Sequence, residues 1–188
     1  MTVFRTTGRL VLRRFTPADE DNLVALDSDP AVMRYLTGGR PTPREVVRDE
    51  VLPRYLWYYE TFPGYGYWAA EEKTTGAFLG WFHFRPAAGG EPDEPELGYR
   101  LRRAAWGHGY ATEGSRDLIR FGFAELRVRR IVATTMAVNT ASRRVMEKAG
   151  LRYVRTFHPH FDDPIEGSGH GEVEYALTRA EWERAGCA

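Results

Sequence analysis

The stretch WGHGYATEG, residues 106–114, decides the fold because it links a predicted strand, 96–101, to a predicted helix, 111–126. Glycine lets the backbone turn tightly and approach a ligand closely. The first amide groups of a helix have no partner inside the helix, so they can donate hydrogen bonds to phosphate oxygens. A strand, a glycine turn and a helix start therefore predict an anion site.

Two common phosphate-binding patterns do not match this turn. A P-loop needs Gly-Lys followed by Ser or Thr, and no such lysine is present. A dinucleotide fingerprint needs a third glycine where Thr112 stands. Small residues in the turn nevertheless leave room for a pyrophosphate. The residues expected to hold it are Gly107, His108, Gly109, Tyr110, Ala111 and Thr112.

A second motif, NTASRRVMEKAGLRY, occupies residues 139–153. Together the two motifs resemble motifs A and B of the GNAT superfamily of N-acetyltransferases, most closely its RimJ/RimL branch of ribosomal-protein N-acetyltransferases. That family binds acetyl-CoA with a loop of pattern Gln/Arg-x-x-Gly-x-Gly/Ala. Gly109 and Ala111 occupy its last two defined positions, and Trp106 stands where the family often has Gln or Arg. The resemblance covers residues 8–182.

The order of predicted elements, β-α-α-β-β-β-α-β-α-β-β, matches that of the family. The predicted strands are 10–15, 65–71, 78–85, 96–101, 131–138, 151–157 and 173–178, and the predicted helices are 19–27, 43–59, 111–126 and 140–149. The resemblance implies a single α/β domain of the α+β type over residues 1–188. Its central sheet would be mixed, antiparallel and parallel, and flanked by helices.

The resemblance also implies that strands 96–101 and 131–138 splay apart. Backbone groups freed by the splay would bind the pantetheine of acetyl-CoA and polarise its thioester carbonyl. Leu101, Arg102 and Arg103 are expected to supply these backbone contacts.

Composition excludes several classes of protein. Lys and Arg number 26, as do Asp and Glu, and this zero net charge argues against a dedicated nucleic-acid binder. Cys187 is the single cysteine, so no intramolecular disulfide is possible and a cytoplasmic location is expected. No apolar stretch is long enough for a signal peptide or a membrane span. The spacing of His158, His160 and His170 matches no strong ligand pattern, so no metal is expected.

The transfer needs an acid that returns a proton to the departing thiolate. Many members of the family use a tyrosine of motif B, but this chain has Met146 there, which cannot donate a proton. The resemblance to RimL-type enzymes implies Ser142, although a surface serine is an open alternative. Asn139 is expected to cap helix 140–149, and its amide is a candidate contact for pantetheine.

The transfer also needs a base, because an alkyl amine is mostly protonated near neutral pH. Glu96 is the first candidate, since several members of the family carry a catalytic glutamate before the splayed strand. The alternative is a solvated charge at the end of an acidic loop. His83, which shares a predicted strand face with Trp81, is the second candidate, and a structural histidine is its alternative.

Two functional hypotheses follow from these motifs. The first is an acetyl-CoA-dependent N-acetyltransferase that acts on a primary amine. The RimJ/RimL resemblance favours a protein N-terminal amine, and a small-molecule or antibiotic amine is the alternative. The second is a catalytically idle acyl-CoA sensor, which Met146 in place of tyrosine keeps open. The expected partners are acetyl-CoA and an amine acceptor, with a homodimer left open.

Overall fold

The computed structural model describes residues 2–87 and 90–186, so Cys187 and the expectation attached to its thiol lie outside the described residues. Within these ranges there are eight strands: β1 (Val3–Thr6), β2 (Leu10–Arg14), β3 (Gly66–Glu72), β4 (Phe78–Pro86), β5 (Pro95–Leu101), β6 (Arg130–Met136), β7 (Arg152–Phe157) and β8 (Glu172–Thr178). They form one sheet in the order β1-β2-β3-β4-β5-β6-β8-β7. β5 and β6 are parallel, whereas β1/β2, β2/β3, β6/β8 and β7/β8 are antiparallel. The predicted mixed sheet is therefore confirmed.

The helices of the described residues are α1 (Glu20–Asp27), α2 (Pro30–Thr37), α3 (Arg44–Val46), α4 (Leu52–Thr61), α5 (Tyr110–Ala124), α6 (Thr140–Lys148) and α7 (Arg179–Arg184). A π-helical turn, Val47–Val51, joins α3 to α4. None of these helices combines the length and the apolar character that crossing a bilayer requires.

The chain divides into two compact units. The first comprises Met1–His83 and Tyr99–Ala111, and the second comprises Phe84–Gly98 and Thr112–Ala188. β4 and β5 each contribute residues to both units.

The first unit has an aromatic core. Tyr55 of α4 stacks on Tyr67 of β3 with ring centroids 3.9 Å apart, and Trp81 of β4 packs edge-on against both rings. Leu23 and Leu26 of α1 are buried in the same cluster. Aromatic side chains bury about 150–250 Å² each, so this cluster contributes a large apolar area to the core of the unit.

A buried ion pair joins β2 to the start of α1. The Arg13 guanidinium donates two hydrogen bonds to Asp19, at 2.8 and 2.7 Å, and a third to Glu71 at 2.6 Å. Burial opposes the ionisation of Asp19, but hydrogen bonds from Arg13 and Thr16 outweigh it and hold the pKa of the Asp19 carboxyl below its ordinary value. The pair is therefore charged and satisfied at neutral pH.

The second unit packs the apolar face of α5 into its core. Leu118, Ile119 and Phe123 are at most 2% exposed, as their helical spacing predicts. At the C-terminal end of the unit, Trp182 of α7 packs against Phe123 with ring centroids 5.3 Å apart.

The structure contains three elements that were not predicted from the sequence: β1, α2 and α7. Asp29-Pro30 does end α1, but it also begins α2, because the Asp29 side chain accepts the N–H of Ala31 and proline fits the first helical turn. α7 begins with a capping box in which Thr178 and Glu181 satisfy each other's backbone N–H groups. The starts of α2 and α7 both carry a capping signal in the sequence. Because these helices are short, the signal is easy to overlook.

Candidate functional site

The predicted glycine turn is confirmed. A 3₁₀ turn, Arg103–Ala105, follows β5, and α5 begins at Tyr110. Gly107 and Gly109 have φ values of +77° and +81°, a left-handed conformation that residues with a β-carbon rarely adopt. A β-carbon at Gly107 would meet no described atom within 4 Å, so the space beside Gly107 is open. The turn leads directly into the N-terminus of a 15-residue helix, and a helix N-terminus attracts anions.

Trp106 anchors the base of this turn. Its indole Nε1 donates to the carbonyl oxygen of Leu101 at 2.8 Å, while the side chain stays 46% exposed. His108 Nδ1 lies 2.8 Å from the carbonyl oxygen of Trp106. The polar atom of Trp106 is thus used within the protein rather than turned towards a ligand.

Three side chains connect the turn to the rest of the first unit: Arg9, Glu72 and Tyr110. Arg9 Nη1 donates to the carbonyl oxygen of His108 at 2.8 Å, and the guanidinium carbon lies 4.7 Å from the centre of the Tyr110 ring. The Tyr110 hydroxyl donates to Glu72 at 2.6 Å. This hydrogen bond, with a second from Thr75, holds the pKa of the Glu72 carboxyl below its ordinary value.

The segment 101–103 offers fewer free backbone groups than expected. The Arg102 N–H, expected to be available to pantetheine, donates instead to the carbonyl oxygen of Leu79 at 2.8 Å, because the residue that follows β5 is still bonded to β4. Arg103 is exposed. A cavity of about 390 Å³ in the first unit is lined by Ala25, Leu26, Asp29, Val32, Arg102, Arg103 and Ala104.

Glu96 lies in the second unit, where β5 and β6 run in parallel. Within the described residues their ladder has one register pair, Glu96 opposite Val132, although β6 continues to Met136. The Glu96 carboxylate is 22% exposed and is held at both oxygens, by Arg85 at 3.0 Å and by the Thr134 hydroxyl at 3.3 Å. Glu96 is therefore an ion-paired residue of the sheet, not a solvated end of the acidic loop.

Glu172 was not among the residues expected from the sequence. Its carboxylate differs from that of Glu96 in its surroundings. Glu172 begins β8 opposite Met136, and its side-chain carboxylate has no cationic or hydrogen-bonding partner in residues 2–87 and 90–186. Burial, and then the charge of Glu96, raise the pKa of the Glu172 carboxyl. The alternating pattern EVEYALT places Glu172 and Glu174 on one face of the strand, which is the signal available in the sequence.

Motif B forms the predicted capped helix. The Asn139 side-chain oxygen accepts the Ser142 N–H at 3.2 Å, and its nitrogen donates to the Thr135 hydroxyl at 3.1 Å. The capping role of Asn139 is confirmed, and both the oxygen and the nitrogen of its side-chain amide make hydrogen bonds within the protein. Ser142 is half-buried in the first turn of α6, and Met146 is 4% exposed. Met146 therefore packs in the core of the second unit.

His83 lies in the aromatic core of the first unit. Its imidazole is 9% exposed, stacks on Trp81 with centroids 5.7 Å apart, and meets the edge of Tyr67 at 5.2 Å. This packing favours the structural alternative for His83. In the described part of the chain, no group of three or more His, Cys, Asp or Glu residues could hold a metal ion.

The acetyltransferase (GNAT) domain family matches residues 9–152, which include the glycine turn, Glu96 and all of motif B except its last residue. The chain belongs to the GNAT acetyltransferase family. It is 36% identical over 187 residues to FsC-acetyl coenzyme A-N(2)-transacetylase of Aspergillus fumigatus, covering 95% of this chain and 77% of that protein.

Solved GNAT structures share the fold. An acetyltransferase of Bacillus anthracis superimposes with a TM-score of 0.74 at 25% identity, over 96% of this chain and all of the other. Spermidine N-acetyltransferase of Vibrio cholerae, solved with CoA and spermine, gives a TM-score of 0.74 at 14% identity, over 94% of this chain and 99% of the other. The family match and the 36% identical transacetylase together show that the protein is an N-acetyltransferase that uses acetyl-CoA.

Proposed function

We propose that this enzyme transfers the acetyl group of acetyl-CoA to a primary amine of a small molecule. The observation that supports the co-substrate is the left-handed turn at Gly107 and Gly109, which leads into the N-terminus of α5 and leaves open space beside Gly107. The support for the acceptor comes from two relatives: the Aspergillus transacetylase, whose name specifies an N(2) position and whose match extends over 95% of this chain, and the Vibrio cholerae enzyme, whose name gives a small amine, spermidine, as its acceptor. A protein N-terminal amine, favoured by the RimJ/RimL resemblance, is the competing acceptor.

We further propose that the two units act as one acetyltransferase domain over residues 1–188. The family match supports this proposal because residues 9–152 include parts of both units. The amides of residues 107–112 hold the pyrophosphate in this scheme. Asn139 acts through its cap, which fixes the first turn of α6, and Ser142 in that turn gives a proton to the departing thiolate.

The base in this scheme is Glu172 rather than Glu96 or His83. The carboxylate takes one proton from the ammonium group of the acceptor, and the neutral nitrogen then bonds to the acetyl carbon. The carbon–sulfur bond breaks, the thiolate takes the Ser142 hydroxyl proton, and the second proton that leaves the nitrogen returns to Ser142. Both oxygens of Glu96 are already engaged by Arg85 and Thr134. The Glu172 carboxyl has a raised pKa, which suits a general base because the best catalytic pKa lies near the working pH.

Two charge-neutral variants separate these bases through the pH profile of kcat/KM. Glu172→Gln should lower kcat/KM near neutral pH by about 100-fold, and raising the pH should partly restore it. The acid limb, which is the fall in kcat/KM at low pH as the base becomes protonated, should disappear. Glu96→Gln should keep the acid limb but shift it to lower pH, because the Glu96 charge helps to raise the pKa of Glu172. His158 lies beside Gly171, the residue that precedes Glu172, and His158→Gln should keep the limb. If Glu96→Gln is the only variant that loses the acid limb, Glu96 is the general base.

The acceptor class is tested with a panel of small amines, polyamines and peptides with free N-terminal alanine or serine. CoA release and the mass of the product are measured for each at equal concentration. We expect kcat/KM to be highest for a small amine and peptides to be poor acceptors. A peptide as the best acceptor would favour the RimJ/RimL hypothesis. Acetyl-CoA binding without turnover of any amine would favour the sensor hypothesis and contradict the proposed function.

A further inference from the structure

Backbone amides alone carry only partial charges, and a pyrophosphate is doubly charged, so a full cation beside the turn would strengthen binding. Trp106, within the turn, offers no cation, and its indole N–H is bonded to Leu101. The cation that contacts this turn directly comes instead from a residue 99 positions earlier in the chain, Arg9, which directly precedes β2.

The Arg9 guanidinium borders the turn at three consecutive residues. Its Nη1 donates to the His108 carbonyl oxygen at 2.8 Å, its Nη2 lies 3.5 Å from the place a β-carbon would take on Gly109, and its plane covers the Tyr110 ring. Gly109 and Tyr110 are also the residues at which the backbone enters α5. The charge therefore lies beside the proposed pyrophosphate amides.

The orientation of this guanidinium is fixed by its neighbours. The Tyr110 ring beneath it is tethered through its hydroxyl to Glu72 at 2.6 Å, so the ring is not free to swing away. A guanidinium has its N–H donors in one plane, and the bond to the His108 carbonyl oxygen is made by Nη1. A planar fork of donors matches the oxygens of phosphate groups in geometry as well as in charge.

We infer that Arg9 is a phosphate-binding residue of the acetyl-CoA site, held in place by Tyr110 and Glu72. The inference rests on the proposed function, because it takes residues 107–112 as the pyrophosphate loop. The ligand group is the pyrophosphate of CoA, not the pantetheine or the acetyl group. Arg9 should therefore distinguish acetyl-CoA from an acetyl thioester that lacks phosphate.

The test compares acetyl-CoA with S-acetylpantetheine, which has the same thioester but no pyrophosphate or nucleotide. Arg9→Met should raise KM for acetyl-CoA about tenfold, the loss expected for charge-assisted hydrogen bonds, and leave kcat/KM for S-acetylpantetheine unchanged. Arg9→Lys should lie between Arg9→Met and the wild type, because lysine keeps the charge but loses the planar fork. Tyr110→Phe, which removes only the tether to Glu72, should raise KM for acetyl-CoA less than Arg9→Met does.

Arg14→Met is the matched control, since Arg14 also ends at a tyrosine ring, 4.9 Å from the centre of Tyr59, but lies at the opposite end of β2 from Arg9. Arg14→Met should leave KM for acetyl-CoA and kcat/KM for S-acetylpantetheine unchanged. Equal losses with acetyl-CoA and S-acetylpantetheine in Arg9→Met would make Arg9 a structural residue and overturn the inference, as would an unchanged KM for acetyl-CoA. If Gly109→Val also leaves that KM unchanged, the loop assignment itself is wrong. If Gly109→Val raises it and Arg9→Met does not, only the inference fails.

Discussion

Replacing Gly109 with valine tests whether the backbone of the turn binds acetyl-CoA. Gly109 has a φ of +81°, where an L-residue costs about 1–2 kcal/mol and a β-branched residue more. Its β-carbon would meet Arg9 Nη2 at 3.5 Å, an ordinary contact, so the cost comes from the backbone and not from crowding.

Valine weakens binding whichever way the turn responds. If the turn keeps its conformation, the two methyl groups occupy the space in front of the α5 amides. If the turn relaxes, the amides no longer point at the ligand, and the roughly 2 kcal/mol needed to restore them reduces affinity by about 30-fold. We therefore expect the dissociation constant of acetyl-CoA to rise by at least about 30-fold.

Gly76→Val is the matched control for this substitution. Gly76 has a φ of +71° with no atom within 4 Å of a β-carbon, and it lies in the turn between β3 and β4. Both variants should lower Tm by a few degrees, at about 2–4 °C per kcal/mol for a chain of this size. Calorimetric titration with acetyl-CoA and thermal unfolding are measured for both. A folded Gly109→Val protein with wild-type affinity would refute the assignment of the turn.

Other substitutions test the acid, the buried ion pair and the last helix. Ser142→Ala should lower kcat but leave acetyl-CoA affinity unchanged, measured by steady-state kinetics and calorimetry; a wild-type kcat would mean that the thiolate takes its proton elsewhere. Asp19→Asn should cost about 3 kcal/mol of unfolding free energy, because it leaves Arg13 buried beside Glu71 alone. Since the folded-state pKa of Asp19 is depressed, this stabilisation is complete above the unfolded pKa of about 3.9 and is lost as pH falls through the folded value. Urea unfolding should therefore show the difference between Asp19→Asn and wild type shrinking in acid, and a constant difference would contradict the pair's role. Thr178→Ala should cost about 1 kcal/mol through the lost cap of α7, and no change in the urea midpoint would show that the cap contributes nothing.

The parts of the fold that were predictable from sequence depend on neighbours in the chain. The glycine turn, the start of α5 and the Asn139 cap each need only a few consecutive residues, and all three lie where the sequence predicts. β1 escapes prediction because Val3–Thr6 is a short edge strand whose residues are exposed or half-buried. α2 escapes it because Asp29-Pro30 signals an end and a start equally well.

The parts of the candidate site that were not predictable depend on pairing between distant strands. Glu172 at the end of a strand looks like a solvated charge until its register with Met136 and the nearby Glu96 are known. Glu96 looks like part of an acidic loop until Arg85, on the neighbouring strand of the second unit, is seen to pair with it. Spacing within a motif carries no information on such partners.

The hydrogen bond between Arg9 and His108 closes over 99 residues, and this separation sets the order in which a nascent chain can acquire its co-substrate. Synthesis at about 5–20 residues per second places some 5–20 s between the emergence of the two residues. Until His108 and Tyr110 leave the ribosome, Arg9 has no turn to support. Under the proposed assignment of the turn, acetyl-CoA therefore has no complete phosphate site during the synthesis of β2 and β3, and it can act as a ligand only after both segments have emerged.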